Sequence, residues 1–217
     1  NAIQYLIQNN VIVLESDNFE GFVSVKGDLF MLLYPKEILK NPTPLGGIIA
    51  IIAQPTFQFD DTKSNLYKEI GNLDKSQNTV FIYPTFTQSA YEIGGFYDYY
   101  ENKCDESCLT TEIHTNLKSK STSSANAATI LNLLGYDFIT DIDVDKDPSI
   151  LKKYDKIILL HNEYVTKPMF EAISHHPKVI YLYPNSLYAE IDVDYPQNAI
   201  TLIRGHAYPQ PETDNGF

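Results

Sequence analysis

Lys156-Ile157-Ile158-Leu159-Leu160-His161-Asn162-Glu163-Tyr164 is the most informative segment of the chain for its architecture. Four apolar residues after Lys156 form the short run expected of a strand buried on both faces, and the run stops abruptly at a polar tetrad. Similar runs occur at Val80 to Tyr83, Phe138 to Thr140 and Val179 to Tyr183. Helical signals lie between them. Ser123 or Ser124 caps a helix whose apolar positions are Ala127, Ile130, Leu131 and Leu134, closed by Gly135. Asp147-Pro148 opens a helix reaching Tyr154, and Thr166 caps another over Lys167 to His175. Strands alternating with helices at this spacing imply crossover units, hence an α/β fold with an open, mostly parallel sheet and helices on both faces. Ala189 to Val193 and Ile200 to Arg204 read as an appended C-terminal β-hairpin. The α/β domain is expected over 75–217, with 1–74 as an N-terminal extension packed on it.

The extension is less regular. Its pattern predicts a helix over Ala2 to Gln8, strands at Val11 to Glu15 and Gly46 to Ala53, and a helical turn from Pro35 to Leu39. A strand pair is expected around Gly27-Asp28, from Phe22 to Val25 and Leu29 to Tyr34, and a helix over Lys63 to Ile70 that stops at Gly71 in a left-handed cap. Thr85 to Thr122 reads as one long polar loop, a length that marks function or disorder.

Several functions are excluded by charge. The 217 residues carry 16 basic and 28 acidic side chains, a formal charge of −12, which opposes a nucleic-acid or anionic-membrane partner. Arg204 is the single arginine, so bidentate readers of phosphate are nearly absent. The longest apolar run, Leu45 to Ala53, is less than half of the roughly 20 residues that span a bilayer, so no transmembrane segment is expected. Cys104 and Cys108 are the two cysteines; their spacing misses the redox Cys-x-x-Cys motif and suits a local disulfide, which favours an exported or cell-surface protein.

In such sheets ligands gather at the carboxyl ends of strands, and three polar, aromatic segments fall there: Pro84 to Tyr100, His161 to Tyr164 and Pro184 to Tyr188. His161 and Glu163 can converge as metal ligands or as a base with its orienter; they can equally serve the start of the following helix. Tyr91, Tyr97, Tyr99 and Tyr100 surround Gly94-Gly95, either as a packed aromatic loop or with phenols facing the His161 turn. Asp141, Asp143, Asp145 and Asp147 alternate, but Lys146 and Lys152 stand where an EF-hand needs Gly and Glu, so they read as a solvated strand-to-helix loop. His175 and His176 end a helix. His114 lies in the long loop, and His206, in Arg204-Gly205-His206-Ala207-Tyr208, follows a strand and ranks below it. No Gly-x-Ser-x-Gly elbow and no Gly-rich phosphate loop occur.

Residues 79–190 resemble the catalytic large subunit of N,N-dimethylformamidase. Thr87-Gln88-Ser89-Ala90-Tyr91 followed by Gly94-Gly95 is similar to that family's Thr-x-x-Ala-Tyr and Gly-Gly elements. Gly135-Tyr136, Asp141, Asp143, Pro148 and Leu151 match its next stretch, His161-Asn162-Glu163-Tyr164 its His-Asp-Glu-Tyr loop, and Asn185-Ser186-Leu187-Tyr188 its Asn-Ala-Leu-Tyr. Asn162 departs from the family's Asp.

The resemblance implies a glutamine-amidotransferase-like, flavodoxin-like fold and a metal-dependent hydrolase of small linear amides. It implies iron (Fe) held by Tyr91 and Glu163 with His161 as ligand or acid/base, so that His161 and Glu163 are the catalytic pair. Asn162, Tyr164, Asn185 and Tyr188 would bind substrate. The second tyrosine ligand stays open among Tyr97, Tyr99 and Tyr100. Such a site explains the missing nucleophile, because Lewis-acid activation of water takes its place. Zinc (Zn) through His161, Glu163 and His114 is the alternative metal. The chain also looks similar to uncharacterised exported archaeal proteins, and a non-catalytic exported or cell-surface binding protein that keeps the fold is the competing expectation.

Overall fold

The structure, a computed structural model, describes residues 13–16, 22–35, 56–115 and 124–217. The chain falls into two compact units, Asn1–Gly71 and Asn72–Phe217. The expected helix over Ala2 to Gln8, the strand from Gly46 to Ala53 and, beyond Pro35, the turn at Pro35 to Leu39 lie outside the described residues.

The first unit holds a four-stranded antiparallel sheet: β1 (Val13–Ser16), β2 (Phe22–Lys26), β3 (Met31–Pro35) and β4 (Thr56–Gln58), in that order. β2 and β3 form the expected hairpin, with Phe22 opposite Pro35 and Lys26 opposite Met31. A short 3-10 turn, Asp61–Lys63, leads into α1 (Ser64–Ile70). Tyr67 on α1 stacks on Phe30 and packs at a tilt against Phe59, and its hydroxyl donates to Leu29 O at 2.6 Å. The left-handed cap expected at Gly71 is not formed: Gly71 is extended, at φ −93° and ψ 176°, because the chain leaves the helix directly.

The second unit is built on a parallel sheet in the order β10 (Val179–Tyr181), β8 (Lys156–Leu159), β5 (Thr79–Tyr83), β7 (Asp137–Thr140). Val80, Ile82, Ile139, Ile157 and Leu159 point to one face, and Phe81, Tyr83, Ile158 and Leu160 to the other. The second face is covered through Ala128 by α4 (Ala125–Leu133). The first is covered by α5 (Asp141–Lys146) and α6 (Lys167–Ser174) through Val144, Met169 and Ile173. From β5 the chain crosses to β7 over one face and returns to β8 and β10 over the other, as uniformly right-handed crossovers require.

Several expectations need correction here. Thr85 to Thr122 is not one loop: among its described residues it contains α2 (Thr85–Ala90), α3 (Phe96–Tyr100), a 3-10 turn (Glu106–Leu109) and β6 (Thr110–Glu112). Phe86, Ala90, Phe96, Leu109 and Ile113 bury themselves, one or two per turn, which is too sparse for a periodic signal. The alternating aspartates are not a solvated loop but helix α5. There Thr140 caps Asp143 N while the Asp143 side chain returns to Thr140 N. The helix expected after Asp147-Pro148 is 3-10, Pro148–Lys153. β10 is an exposed edge strand in place of a buried one, ending at Tyr181.

The C-terminal hairpin, β11 (Ala189–Asp194) and β12 (Ala199–Arg204), is not a separate appendage. It is the middle of a third sheet, in the order β6-β12-β11-β9, in which β9 (Tyr164–Val165) runs parallel to Ala189-Glu190. That sheet ties the polar tetrad to the C-terminal segment.

Candidate functional site

β5 and β8 are neighbours whose connections leave toward opposite edges of the sheet, and the crevice outside their carboxyl ends is where such sheets bind ligands. β5 runs through Pro84 into α2, and β8 runs into the His161-Asn162-Glu163-Tyr164 turn. The tetrad is held by its backbone. Thr87 Oγ1 accepts from Glu163 N at 2.9 Å and Tyr164 N at 3.2 Å. On the other side Glu163 O accepts from Tyr188 N and Ala189 N, and Asn162 O from Leu187 N at 2.7 Å. Ser124 was expected to cap α4 with its side chain but makes no such bond; its hydroxyl accepts from His161 N at 2.9 Å. Thr87 and Leu187-Tyr188, both in stretches that carry the resemblance, therefore frame the tetrad.

Glu163 is the centre. Its side chain is 0% exposed. Oε2 accepts from Tyr91 Oη at 2.8 Å and lies 3.0 Å from His161 Nε2, while Oε1 lies 2.5 Å from His206 Nε2. Tyr91 Oη and Tyr97 Oη are 2.7 Å apart, with ring centroids at 4.2 Å. The Tyr97 approach depends on Gly95: a Cβ there would stand 2.5 Å from Ala90 O, so any side chain would push α3 away from Tyr91. The His161 ring is stacked on Tyr183 at 5.0 Å and meets Tyr91 edge-on.

Burial alone would raise the Glu163 carboxyl. Hydrogen bonds from His161, His206 and Tyr91 outweigh it and hold the group down at about 2, so it is an anion. Tyr91 is driven well above the ordinary phenol value, first by burial, then by its bonds to Tyr97 and Glu163. Burial also raises Tyr97, with the Tyr91 hydroxyl opposing it. One anion and two neutral phenols thus face one another, and Tyr91 is 41% exposed, which opens the cluster to solvent.

Tyr91, His161 and Glu163 are brought together, and of the three open tyrosines Tyr97 alone joins their hydroxyl network; Tyr99 and Tyr100 pack against the core. Asn162 is buried and accepts from Leu160 N at 3.1 Å; its Nδ2 has no hydrogen-bond partner among the described residues. Tyr164 is buried edge-on to Phe96. Tyr188 lies with its ring 4.5 Å from His206, and Asn185 is exposed. His114 offers its backbone N–H to Ser89 Oγ at 2.9 Å. His175 and His176 bond helix-end and neighbouring carbonyls. Cys104 and Cys108 are joined in a disulfide.

His206 is the residue that sequence reasoning ranked too low. Its only signal was a position just after β12, and its value depends on the hairpin register and on pairing with β9, neither readable locally.

The groups gathered here are two phenols, one carboxylate and two imidazoles, an oxygen-rich set whose chemistry suits a ferric ion. Among the described residues no group of three or more His, Cys, Asp or Glu is arranged to hold a metal ion, so any site here depends on the tyrosines. Among the described residues no helix is long and apolar enough to cross a membrane. No family model, curated protein or solved structure matches the chain.

Proposed function

We propose that the chain is a metal-dependent hydrolase of small linear amides, similar to N,N-dimethylformamidase, with Tyr91, Tyr97 and Glu163 as oxygen donors to iron. The observation that carries this reading is the convergence of these three side chains. They come from α2, α3 and the start of β9, and meet through oxygen–oxygen contacts of 2.7 and 2.8 Å beside His161. Iron in such a site supplies Lewis acidity toward an amide carbonyl and toward water. Glu163, already ionised, contributes charge to a cation, and His161 Nε2, 3.0 Å from Oε2, is placed to hold or move a proton at the reacting centre. A glutamine-amidotransferase-like fold agrees with the strand order, in which the first strand lies between the second and third. The disulfide supports placement outside the cytoplasm, exported or at the cell surface.

The competing reading, a non-catalytic exported binding protein, asks for an exposed aromatic loop at Tyr97 to Tyr100 with no pocket beneath it. Tyr97, Tyr99 and Tyr100 are partly buried and packed against the core, which supports the hydrolase. The test is amine release from short formamides and acetamides by protein loaded with ferric iron. Turnover is expected, falling at least ~100-fold in His161→Ala, the low end of what one positioned proton-transfer group contributes. Wild-type protein that holds iron yet releases no amine from any small amide would contradict the assignment.

A further inference from the structure

We propose that His206 is the positioning residue of this site: it holds Oε1 of Glu163 and so leaves Oε2 as the single carboxylate oxygen facing Tyr91 and His161. The inference deepens the iron reading of the same site and rests on it for its metal-binding consequence.

The two oxygens of Glu163 have different partners. Oε1 meets His206 Nε2 at 2.5 Å, whereas Oε2 meets Tyr91 Oη at 2.8 Å and His161 Nε2 at 3.0 Å. A fully buried carboxylate has no water to complete its shell, so protein donors fix both its charge and its rotation. His206 itself has little freedom. Its ring sits among Tyr188 at 4.5 Å, Tyr100 at 5.5 Å and Tyr164 at 5.7 Å.

The backbone that delivers the ring is strained, and the strain has no other evident use. His206 and Ala207 both adopt left-handed conformations, at φ 54° and 62°. Each such residue is strained and persists only where its surroundings over-determine it. Here they do: Gly205 N and Tyr208 N bond each other's carbonyls, His206 N donates to Asp214 O at 3.1 Å, and Ala207 N to Thr213 O. Gly205, at φ 130°, lets this turn press on the strand that pairs with the tetrad, since a Cβ there would stand 2.6 Å from Ala189 Cβ. The C-terminal segment thus places one imidazole on one carboxylate oxygen. Partners of metal ligands placed in this way set how the ligand presents itself.

The test uses the full chain, wild type, His206→Ala and His206→Gln, each first shown to be folded by circular dichroism and thermal melting. In metal-free wild-type protein, proton NMR should show a far-downfield imidazole N–H, assigned to His206 by its loss in His206→Ala. Ferric iron affinity, read by competition with a chelator, should fall about 10–100-fold in His206→Ala and return largely in His206→Gln, whose amide can donate from a similar position. The charge-transfer band of His206→Gln should stay at the wild-type wavelength. An affinity in His206→Ala equal to wild type would overturn the proposal. So would a His206→Gln protein as weak as the alanine variant with a displaced band, because His206 would then be a ligand itself. Should wild type bind no iron, the hydrolase reading fails. The NMR arm still decides the inference: the resonance supports a positioning role, and its absence overturns it.

Discussion

Glu163 organises the site because a buried anion must be surrounded by donors, and here each donor comes from a different part of the chain. Tyr91 directly follows α2, His161 lies in the turn after β8, and His206 lies in the C-terminal turn. The backbone of Glu163 depends in turn on Thr87. Replacing Thr87 by Ala leaves the amides of Glu163 and Tyr164 without their acceptor in a buried setting, an expected loss of about 1–3 kcal/mol. Thr87→Ser should recover most of it in urea unfolding; an alanine variant as stable as wild type would contradict this role. A second buried carboxylate behaves in the opposite way. Asp141 sits under α2, its Oδ2 accepting from Phe86 N at 2.9 Å, and burial pushes it up to about 8. It therefore folds protonated. Its contribution to stability is complete below the unfolded value near 3.8 and is lost as pH rises through about 8, at up to about 1.4 kcal/mol per pH unit. Asp141→Asn should remove that decline between pH 4 and 8 in a series of melting curves. An unchanged slope would show that Asp141 is ionised in the folded state.

The turn that carries His161 and Glu163 was legible in sequence because it directly follows the apolar run that defines β8, and a strand end has a known place in a parallel sheet. α6 was legible through its cap: Thr166 does accept from Met169 N. The segment from α2 to β6 was not, because its elements are three to six residues long and bury at most two apolar residues each. α5 was hidden by its aspartates, which suggest a loop until Thr140 is recognised as half of a capping box. β10 shows the reverse error: its β-branched residues suggest burial, yet Ile180 and Tyr181 are exposed at the sheet edge. At this scale the disulfide is testable. It closes a short loop just after α3, the helix that presents Tyr97. For so short a loop the chain-entropy contribution is about 2 kcal/mol, so reduction should lower Tm by several degrees. A Tm that does not move on reduction would show that this loop contributes nothing to holding α3.

At the scale of the molecule, an acidic chain with 16 tyrosines resolves into two units, and the second brings together what its sequence scatters over more than a hundred residues. The parallel sheet sets the helix that leads to Tyr91 and the turn that carries His161 after adjacent strands, and the third sheet brings His206 back to the carboxylate between them. The proposal that Tyr91, Tyr97 and Glu163 together hold one ferric ion stands or falls on a titration of untagged wild-type protein with ferric iron, recording the visible spectrum, beside Tyr91→Phe and Tyr97→Phe. The expected result is one equivalent bound, with a tyrosinate charge-transfer band that weakens or shifts in each variant. A wild-type protein that stays colourless at saturating iron, or a band unchanged in both variants, would contradict it.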